Sequence, residues 1–332
     1  MDKIIEAREL TKYYDGNLAV DDVDLEIPRG EAFGLLGPNG AGKTTTVLML
    51  TTLLKQSGGK ASVCGFDIAK EARKVRKHIS YVPQGLAVDD ALTARESLDL
   101  FGSLYGIPPA KRKQRMDYFL KFFELSKVAD NPAATYSGGM KRKLELAQAL
   151  IHQPEVVFLD EPTIGLDVTA RHKIWEFILR LKEEKKVTFF ITTHYMDEAA
   201  ALCDRVAIIT KGKIVCSGSP STLSNQIGGD VIRIRIEKED VEKASEALEG
   251  MEKIKSKKCV ETEMELIVEE GDKFLPEVMQ VLTSKEITIN SVLMKQAGLD
   301  EVFIKYTGDT EESPSPKEAR KHKKIIRKLM RG

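Results

Sequence analysis

The sequence has no long hydrophobic run, because its densest apolar segments, such as Val156 to Leu159, last only four or five residues. A membrane-spanning helix needs roughly 18 or more consecutive apolar residues. The N-terminus, from Met1 to Glu6, also carries charged residues where a secretory signal would need an apolar stretch. We therefore expect neither a transmembrane segment nor a signal peptide, and the cytoplasm is the expected location.

Cysteine is scarce. The four residues Cys64, Cys203, Cys216 and Cys259 are far apart, with no CxxC pair and no histidine at ligand spacing beside them. Structural zinc sites and disulfide frameworks need clustered or regularly spaced cysteines. We therefore expect four reduced thiols and neither a disulfide nor a zinc site.

The sequence has no excess of positive or negative charge, since 51 basic residues balance 51 acidic ones. The charges are unevenly placed, because residues 317–331 hold eight lysines or arginines and one glutamate, behind a linker at 311–316. Apolar residues recur at helical spacing in this tail, as in helices that lie on membranes. The tail is expected either to contact anionic lipid headgroups or to be a solvated end. It has no interleaved aromatic residues, so nucleic acid is not an expected partner.

With 332 residues, the chain exceeds what one hydrophobic core usually supports, so two domains are expected. Residues 1–218 alternate short apolar segments with helical stretches, which is the pattern of an α/β fold with a mostly parallel sheet. The expected strands are 32–36, 79–82, 156–159, 187–192 and 206–209. Residues 86–150 contain no good strand, and apolar residues between 116 and 123 recur at helical spacing. This insertion is predicted to be a helical subdomain.

The pattern changes after residue 218. Apolar and basic residues alternate from Val231 to Ile236, as in a half-buried strand. Further helix-like segments follow at 240–250 and 273–284, and strand-like segments at 253–260, 264–268 and 287–294. This βαββαβ order is compatible with a ferredoxin-like domain. Residues 219–308 are therefore predicted to form an accessory α+β domain, and residues 309–332 a linker and the basic tail.

Glycines dominate the segment Gly37 to Thr44, which matches the motif GxxxxGK[ST] at every fixed position. It lies between a predicted strand and a helical segment. Glycines let successive N–H groups turn around phosphate oxygens, and the helix N-terminus adds partial positive charge. Lys43 is expected to reach the β- and γ-phosphates of a nucleotide, and Thr44 to place its hydroxyl on Mg²⁺. The expected nucleotide-binding residues here are Gly37, Pro38, Asn39, Gly40, Ala41, Gly42, Lys43, Thr44 and Thr45.

Two adjacent carboxylates, Asp160 and Glu161, follow the apolar segment 156–159. A strand there would deliver them to its carboxyl end, where open α/β sheets bind ligands. Asp160 is expected to act on Mg²⁺ through its water shell. Glu161, with its side chain pointing the other way, is expected to polarise the attacking water. Together with Lys43, this pair predicts a P-loop NTPase.

Four further motifs identify the kind of NTPase. They are Gln84 after the strand 79–82, the signature Tyr136-Ser137-Gly138-Gly139-Met140 before a helical run, the loop Gly165-Leu166-Asp167, and Thr193-His194. With the phosphate loop and Asp160-Glu161-Pro162-Thr163, they resemble, in order and spacing, the ATP-binding subunit of ABC transporters.

In that family, two such subunits close head to tail on two ATP molecules. The resemblance implies that Ser137 and Gly139 contact the γ-phosphate held by Lys43 of the partner subunit, with Gly138 also among the nucleotide-binding residues. The insertion 86–150 is implied to present this signature and to touch a membrane permease near the segment after Gln84. The implied partners are therefore a second copy of the chain and a separate permease, which would hold the chain at the inner face of the cell membrane.

The resemblance also implies roles for single residues. Gln84 would sense Mg²⁺ and the attacking water, while His194 would hold the γ-phosphate and position Glu161. Asp167 would cross the dimer interface, and Tyr14 lies where the family places an aromatic ring against adenine. The expected catalytic residues are thus Glu161, His194 and Lys43, and the expected metal-binding residues are Thr44, Gln84 and Asp160.

A narrower resemblance concerns the subfamily. The signature has Tyr136 and Met140 where the commonest form has Leu and Gln, and the segments 194–199, 203–205 and 299–303 read HYMDEA, CDR and LDEVF. These features look like the drug-resistance branch of type 2 ABC exporters, similar to daunorubicin-resistance ATPases, and cover the chain to about residue 308. The resemblance implies an ATPase subunit that powers the export of a drug-, lipid- or antibiotic-like solute.

Two alternatives belong to other functional classes. One is a soluble ABC-type ATPase that acts on ribosomes or DNA; such relatives usually carry two ATPase units or a long coiled coil, and this chain has one unit and no room for a coiled coil. The other is a regulatory nucleotide-binding protein without turnover, which the presence of Glu161 and His194 disfavours.

Overall fold

The computed structural model describes residues 2–225, 229–268, 271–295 and 298–307. The linker and basic tail at 309–332 lie outside the described residues, so the lipid contact expected of the tail stays a prediction. Over the described ranges, no helix is both long and apolar enough to cross a membrane.

The described residues form fourteen strands and eleven α-helices. The strands are β1 Lys3–Tyr14, β2 Asn17–Pro28, β3 Ala32–Leu36, β4 Gly58–Val63, β5 Phe66–Asp67, β6 Ile79–Val82, β7 Val156–Asp160, β8 Thr188–Thr193, β9 Arg205–Thr210, β10 Lys213–Gly218, β11 Asp230–Ile236, β12 Ile254–Val260, β13 Glu263–Val268 and β14 Ile289–Lys295. The helices are α1 Lys43–Leu50, α2 Ala72–His78, α3 Ala94–Leu104, α4 Pro109–Phe122, α5 Gly138–Leu150, α6 Val168–Lys185, α7 Met196–Leu202, α8 Pro220–Asn225, α9 Val241–Ala247, α10 Gly271–Ser284 and α11 Leu299–Thr307.

The central sheet has the strand order β10-β9-β3-β8-β7-β6, and its neighbouring strands are parallel except β9 and β10. Strands β3, β7 and β8 are buried along their whole length. Parallel strands covered on both faces read as continuous apolar runs, which is why the sequence reveals them. On one face, the ring of Phe190 lies 5.5 Å from that of Phe33 and 5.4 Å from that of Phe158. The α/β expectation is confirmed.

A second, antiparallel sheet with the order β2-β1-β4-β5 was not predicted from the sequence. Its pairing of β1 with β2 contains register shifts, one of them between Ala7 and Leu10. Glu9 and Asp22 adopt left-handed backbone conformations, with φ of 50° and 48°. Such irregularities insert residues into a strand and interrupt the alternation of apolar and polar side chains. The sheet packs its apolar face toward α1 and the central sheet.

Helices α3, α4 and α5 form the predicted helical subdomain. Thr93 and Glu96 make a capping box that fixes the start of α3. The apolar residues at helical spacing are buried, and Phe122 and Phe123 pack their rings against Phe177 of α6. The subdomain is thereby held against the helices that cover the central sheet.

The second domain is a four-stranded antiparallel sheet with the order β12-β13-β11-β14. Helices α9 and α10 follow β11 and β13, so the chain order is βαββαβ, and both helices contribute to a core with Ile232, Ile234 and Leu266. This arrangement is ferredoxin-like, as the sequence predicts.

The last described helix, α11, packs back on the first domain, against α7, α8 and β9. Its residues Leu299, Val302 and Phe303 are buried in the same core as Leu223 of α8 and Trp175 of α6. The domain boundaries at 218 and 308 stay predictions, but α8 and α11 contribute side chains to the core of the first domain.

Because Phe303 is 5% exposed in this core, we expect Phe303→Ala to lower the free energy of unfolding of the first domain by about 3–5 kcal/mol. Ile304, its neighbour on α11, is 45% exposed, so Ile304→Ala should change this free energy by about 0.5 kcal/mol or less. Urea unfolding followed by the fluorescence of Trp175, the single tryptophan, measures both variants. Equal losses for the two variants would contradict the packing of α11.

Candidate nucleotide site

The loop Gly37–Thr44 connects β3 to α1, and two of its glycines lie close to neighbouring backbone. A Cβ added to Gly37 would lie 2.3 Å from the carbonyl oxygen of Ile209. At Gly42, where φ is 105°, an added Cβ would lie 2.6 Å from the carbonyl oxygen of Ala19. Gly42 is the N-cap of α1, so the loop leads directly into a helix N-terminus. The first N–H groups of a helix lack intrahelical partners and attract anions, which suits this loop to phosphate.

Lys43 places a cation inside this loop. Its Nζ donates to the carbonyl oxygens of Gly37 at 2.7 Å and Pro38 at 3.1 Å, and lies 3.3 Å from Oε1 of Glu161. The side chain is 5% exposed. Burial lowers the pKa of Lys43, while the charges of Glu161 and Asp160 oppose that change. All three contacts are to oxygens, as a phosphate would also provide.

Asp160 ends β7 and is 1% exposed. It accepts hydrogen bonds from the hydroxyl groups of Thr44, at 3.2 Å, and of Thr192, which stands opposite it on β8. The hydroxyl group of Tyr81 lies 3.4 Å from its other carboxylate oxygen. Burial raises the pKa of Asp160. A carboxylate beside a threonine hydroxyl is an oxygen donor set that fits Mg²⁺, which is usually bound by few protein ligands together with phosphate oxygens.

Side chains from three other parts of the chain contact Glu161. Gln84 donates from Nε2 to Oε2 at 2.9 Å, and the other oxygen, Oε1, lies 3.2 Å from Nδ1 of His194 and 3.3 Å from Nζ of Lys43. Burial acts to raise the pKa of Glu161, but His194 and Lys43 outweigh it and the net change is downward. Glu161 is therefore an ionised carboxylate at neutral pH, able to accept a hydrogen bond or a proton from water.

The backbone turns sharply at Glu161, where φ is 49°. Its N–H donates to the carbonyl oxygen of Thr192 at 3.0 Å, which fixes this left-handed conformation at the end of the sheet. Left-handed residues other than glycine cost on the order of 1–3 kcal/mol and are held by their surroundings.

Two residues that the sequence did not single out hold parts of the site in place. Arg142 of α5 donates to the carbonyl oxygens of Pro83 and Gln84, each at 3.0 Å. Thr192 contacts both acidic residues, through the side chain of Asp160 and the N–H of Glu161. The position of Thr192 at a strand end next to β7 could have revealed it, whereas the contacts of Arg142 follow from tertiary structure.

The signature occupies the exposed start of α5. Ser137 is the N-cap, and its Oγ accepts from the N–H of Met140 at 3.3 Å. Ser137 and Gly138 are exposed, and a Cβ on Gly139 would lie 3.1 Å from Cβ of Ala170 on α6. Tyr136 is buried instead and donates to the carbonyl oxygen of Val128. Among the described residues, no hydrogen bond or ion pair joins the signature to the loop Gly37–Thr44.

The remaining two expected site residues lie at the surface. Asp167 is exposed and caps α6, where its Oδ1 accepts from the N–H of Ala170 at 2.9 Å. Tyr14 ends β1 and is 37% exposed, with Nζ of Lys12 lying 5.3 Å from its ring centroid. An exposed ring at this edge is available for stacking on a planar base.

Two family descriptions match the chain. ABC transporter matches residues 20–164, and the C-terminal domain of DrrA1-3-like ATP-binding proteins matches residues 218–307. The first match contains the phosphate loop, Gln84, the signature and Glu161, and the second contains the ferredoxin-like domain and α11.

The chain is also similar to individual proteins. The daunorubicin/doxorubicin resistance ATP-binding protein DrrA of Streptomyces peucetius is 35% identical over 97% of this chain and 98% of that protein. The linearmycin resistance ATP-binding protein LnrL of Bacillus subtilis is 33% identical over 92% of this chain and 99% of that protein. Among solved structures, cbiO1 from Clostridium perfringens, part of the ABC transporter complex cbiONQ, aligns with a TM-score of 0.64 at 28% identity, covering 68% of this chain and 92% of that one.

If Tyr14 stacks on adenine, Tyr14→Ala should weaken ATP binding on the order of tenfold, because base stacking is worth about 1–3 kcal/mol. Tyr14→Phe should retain the affinity. Tyr13, the adjacent residue, is 51% exposed, so Tyr13→Ala is a matched control that should leave the affinity unchanged. Calorimetry with ATP and EDTA measures binding without turnover. An unchanged affinity in Tyr14→Ala would remove this residue from the site.

Proposed function

The chain belongs to the family of ABC transporter ATP-binding proteins, and from this membership we propose that it drives a separate membrane permease which exports a drug- or antibiotic-like solute. It is an ATPase subunit of a transport system. The observation that carries its catalytic role is the contact of one buried carboxylate, Glu161, with Lys43, Gln84 and His194. The names of the relatives support drug resistance and export, and disfavour an action on ribosomes or DNA.

The residues of the site have separate roles in ATP hydrolysis. The loop Gly37–Thr44 binds the phosphates, and Lys43 exchanges its contact with Glu161 for the β- and γ-phosphate oxygens. Thr44, Asp160 and Gln84 would hold Mg²⁺, with Asp160 acting through its water shell, and the ion would supply positive charge against the phosphates. Glu161, released from Lys43, orients the attacking water and accepts its proton, while His194 fixes the carboxylate and reaches the γ-phosphate.

The functional unit is a head-to-tail homodimer with two shared ATP sites. The exposure of Ser137 and Gly138 supports this proposal, because a phosphate-binding helix start that faces solvent can close on a second copy. The exposure of Asp167 at the start of α6 supports a place for it at the same interface.

Dimerisation gives the sharpest test of this model. Glu161→Gln should form a stable dimer with ATP and Mg²⁺, because it binds ATP but cannot accept a proton from water. Adding Ser137→Arg should abolish that dimer, since a long cation at the exposed N-cap blocks the approach of the second copy. Light scattering with and without ATP measures both. If Glu161→Gln does not dimerise with ATP while the wild type hydrolyses ATP, the head-to-tail model fails.

A groove beside Gln84 suits the permease. It has a volume of about 370 Å³ and a mostly apolar lining that includes Leu48, Leu53, Pro83, Phe101 and Tyr105. Leu53 and Tyr105 are 48% and 44% exposed. We assign this groove to an amphipathic cytoplasmic segment of the permease, which would hold the chain at the inner face of the membrane.

Leu53→Glu should reduce permease binding by on the order of tenfold or more, because it buries a charge in an apolar contact. Val260→Glu is the control, since Val260 is 56% exposed on the other domain. The full chain is used to capture partners from detergent-solubilised membranes, which are identified by mass spectrometry. A multispanning membrane protein retained by Val260→Glu and lost by Leu53→Glu is expected. Recovery of ribosomal proteins or DNA instead would favour the soluble alternative.

A further inference from the structure

Helix α5 carries three buried polar side chains on one face. Arg142, Glu145 and Gln148 are spaced by three residues and are 1%, 4% and 6% exposed. Residues at this spacing are neighbours on a helix surface. Burying a charge is costly unless the charge is paired and hydrogen-bonded, so the contacts of this row decide what it does.

Gln148 donates to the hydroxyl oxygen of Ser97, whereas the contacts of Arg142 and Glu145 converge on the segment 83–87. Arg142 donates to the carbonyl oxygens of Pro83 and Gln84, and lies 2.9 Å from Oε2 of Glu145. Glu145 in turn accepts from the N–H of Ala87 through its other oxygen. Strand β6 ends at Val82, so these carbonyl groups lie beyond the pairing of the central sheet. The ion pair therefore supplies hydrogen bonds at both ends of the segment.

The same segment carries the amide that reaches the catalytic carboxylate, since Gln84 donates to Glu161 at 2.9 Å. The guanidinium of Arg142 donates to the backbone carbonyl oxygen of Gln84, so it holds the residue whose side chain contacts Glu161. Ser137 is the N-cap of α5, five residues before Arg142, so one helix carries both the signature and the side chain that contacts the backbone of Gln84.

We propose that Arg142 is a positioning residue that holds Gln84 against Glu161, with Glu145 as its counter-ion, so that the signature helix and the glutamine move together. This inference rests on the proposed function for its catalytic consequence. Pro83, Ala87 and Glu145 also line the apolar groove, so an occupant of the groove touches the segment that Arg142 holds.

Hydrogen exchange of the nucleotide-free full chain tests the geometry without turnover. Arg142→Lys keeps the charge but loses the two-pronged guanidinium, so peptides covering 83–90 should exchange faster than in the wild type. Glu145→Gln should give the same local pattern. Lys143→Met is the matched control, since Lys143 lies on α5 but pairs with Glu124, and it should leave 83–90 unchanged. Faster exchange throughout β7 and β8 in Arg142→Lys would indicate general destabilisation and overturn the proposal, as would unchanged exchange at 83–90.

The catalytic consequence is tested by a double-mutant cycle. Arg142→Lys should lower kcat on the order of tenfold with little change in the KM for ATP, the scale seen when partners that orient a catalytic group are altered. In a Gln84→Ala background, Arg142→Lys should have no further effect, because its action runs through Gln84. Additive losses would overturn the positioning role. A wild type that fails to hydrolyse ATP would refute the proposed function instead, and the hydrogen-exchange result would still decide whether Arg142 holds Gln84.

Discussion

The candidate site depends on a single buried carboxylate, that of Glu161. Lys43 reaches it from the helix after β3, Gln84 from the segment after β6 and His194 from the end of β8. Parallel strands bring these three otherwise distant parts of the chain to one edge of the sheet, and a buried anion holds their polar groups there. Because burial disfavours an uncompensated charge, the ionised state of Glu161 requires these neighbours.

The acidic pair at the end of β7 shows how environment separates two identical functional groups. Asp160 is surrounded by the hydroxyl groups of Thr44, Thr192 and Tyr81, and burial raises its pKa. Glu161 faces a lysine and a histidine, and its pKa falls. The left-handed turn at Glu161 directs the two carboxylates into these different surroundings. One chain segment can therefore provide a metal-binding oxygen and a water-orienting base.

The sequence predicts what is encoded locally. Strands buried on both faces are continuous apolar runs, and the phosphate loop is defined by glycines whose Cβ atoms would meet backbone, as at Gly37 and Gly42. The antiparallel sheet escaped prediction because bulges near Glu9 and Asp22 interrupt its alternation. The role of Arg142 was not predicted because it contacts residues that precede it by 58 and 59 positions, and because a cation in an amphipathic helix usually faces solvent. The packing of α11 on the first domain likewise depends on tertiary contacts.

The two proposals together make the two ATP sites of a dimer dependent on each other. In the proposed dimer, each chain would offer two helix starts to phosphate, α1 to its own nucleotide and α5 to the nucleotide of the second copy. A phosphate bound at Ser137 would contact the N-terminus of α5. The buried ion pair of this helix is hydrogen-bonded to the Gln84 segment, and Gln84 contacts Glu161 in the same chain. In that dimer, closure at one site would be transmitted to Glu161 of the other site through α5 and the side chains of Arg142, Glu145 and Gln84. If the permease occupies the groove that borders the same segment, as proposed, it would act on this connection without touching the nucleotide.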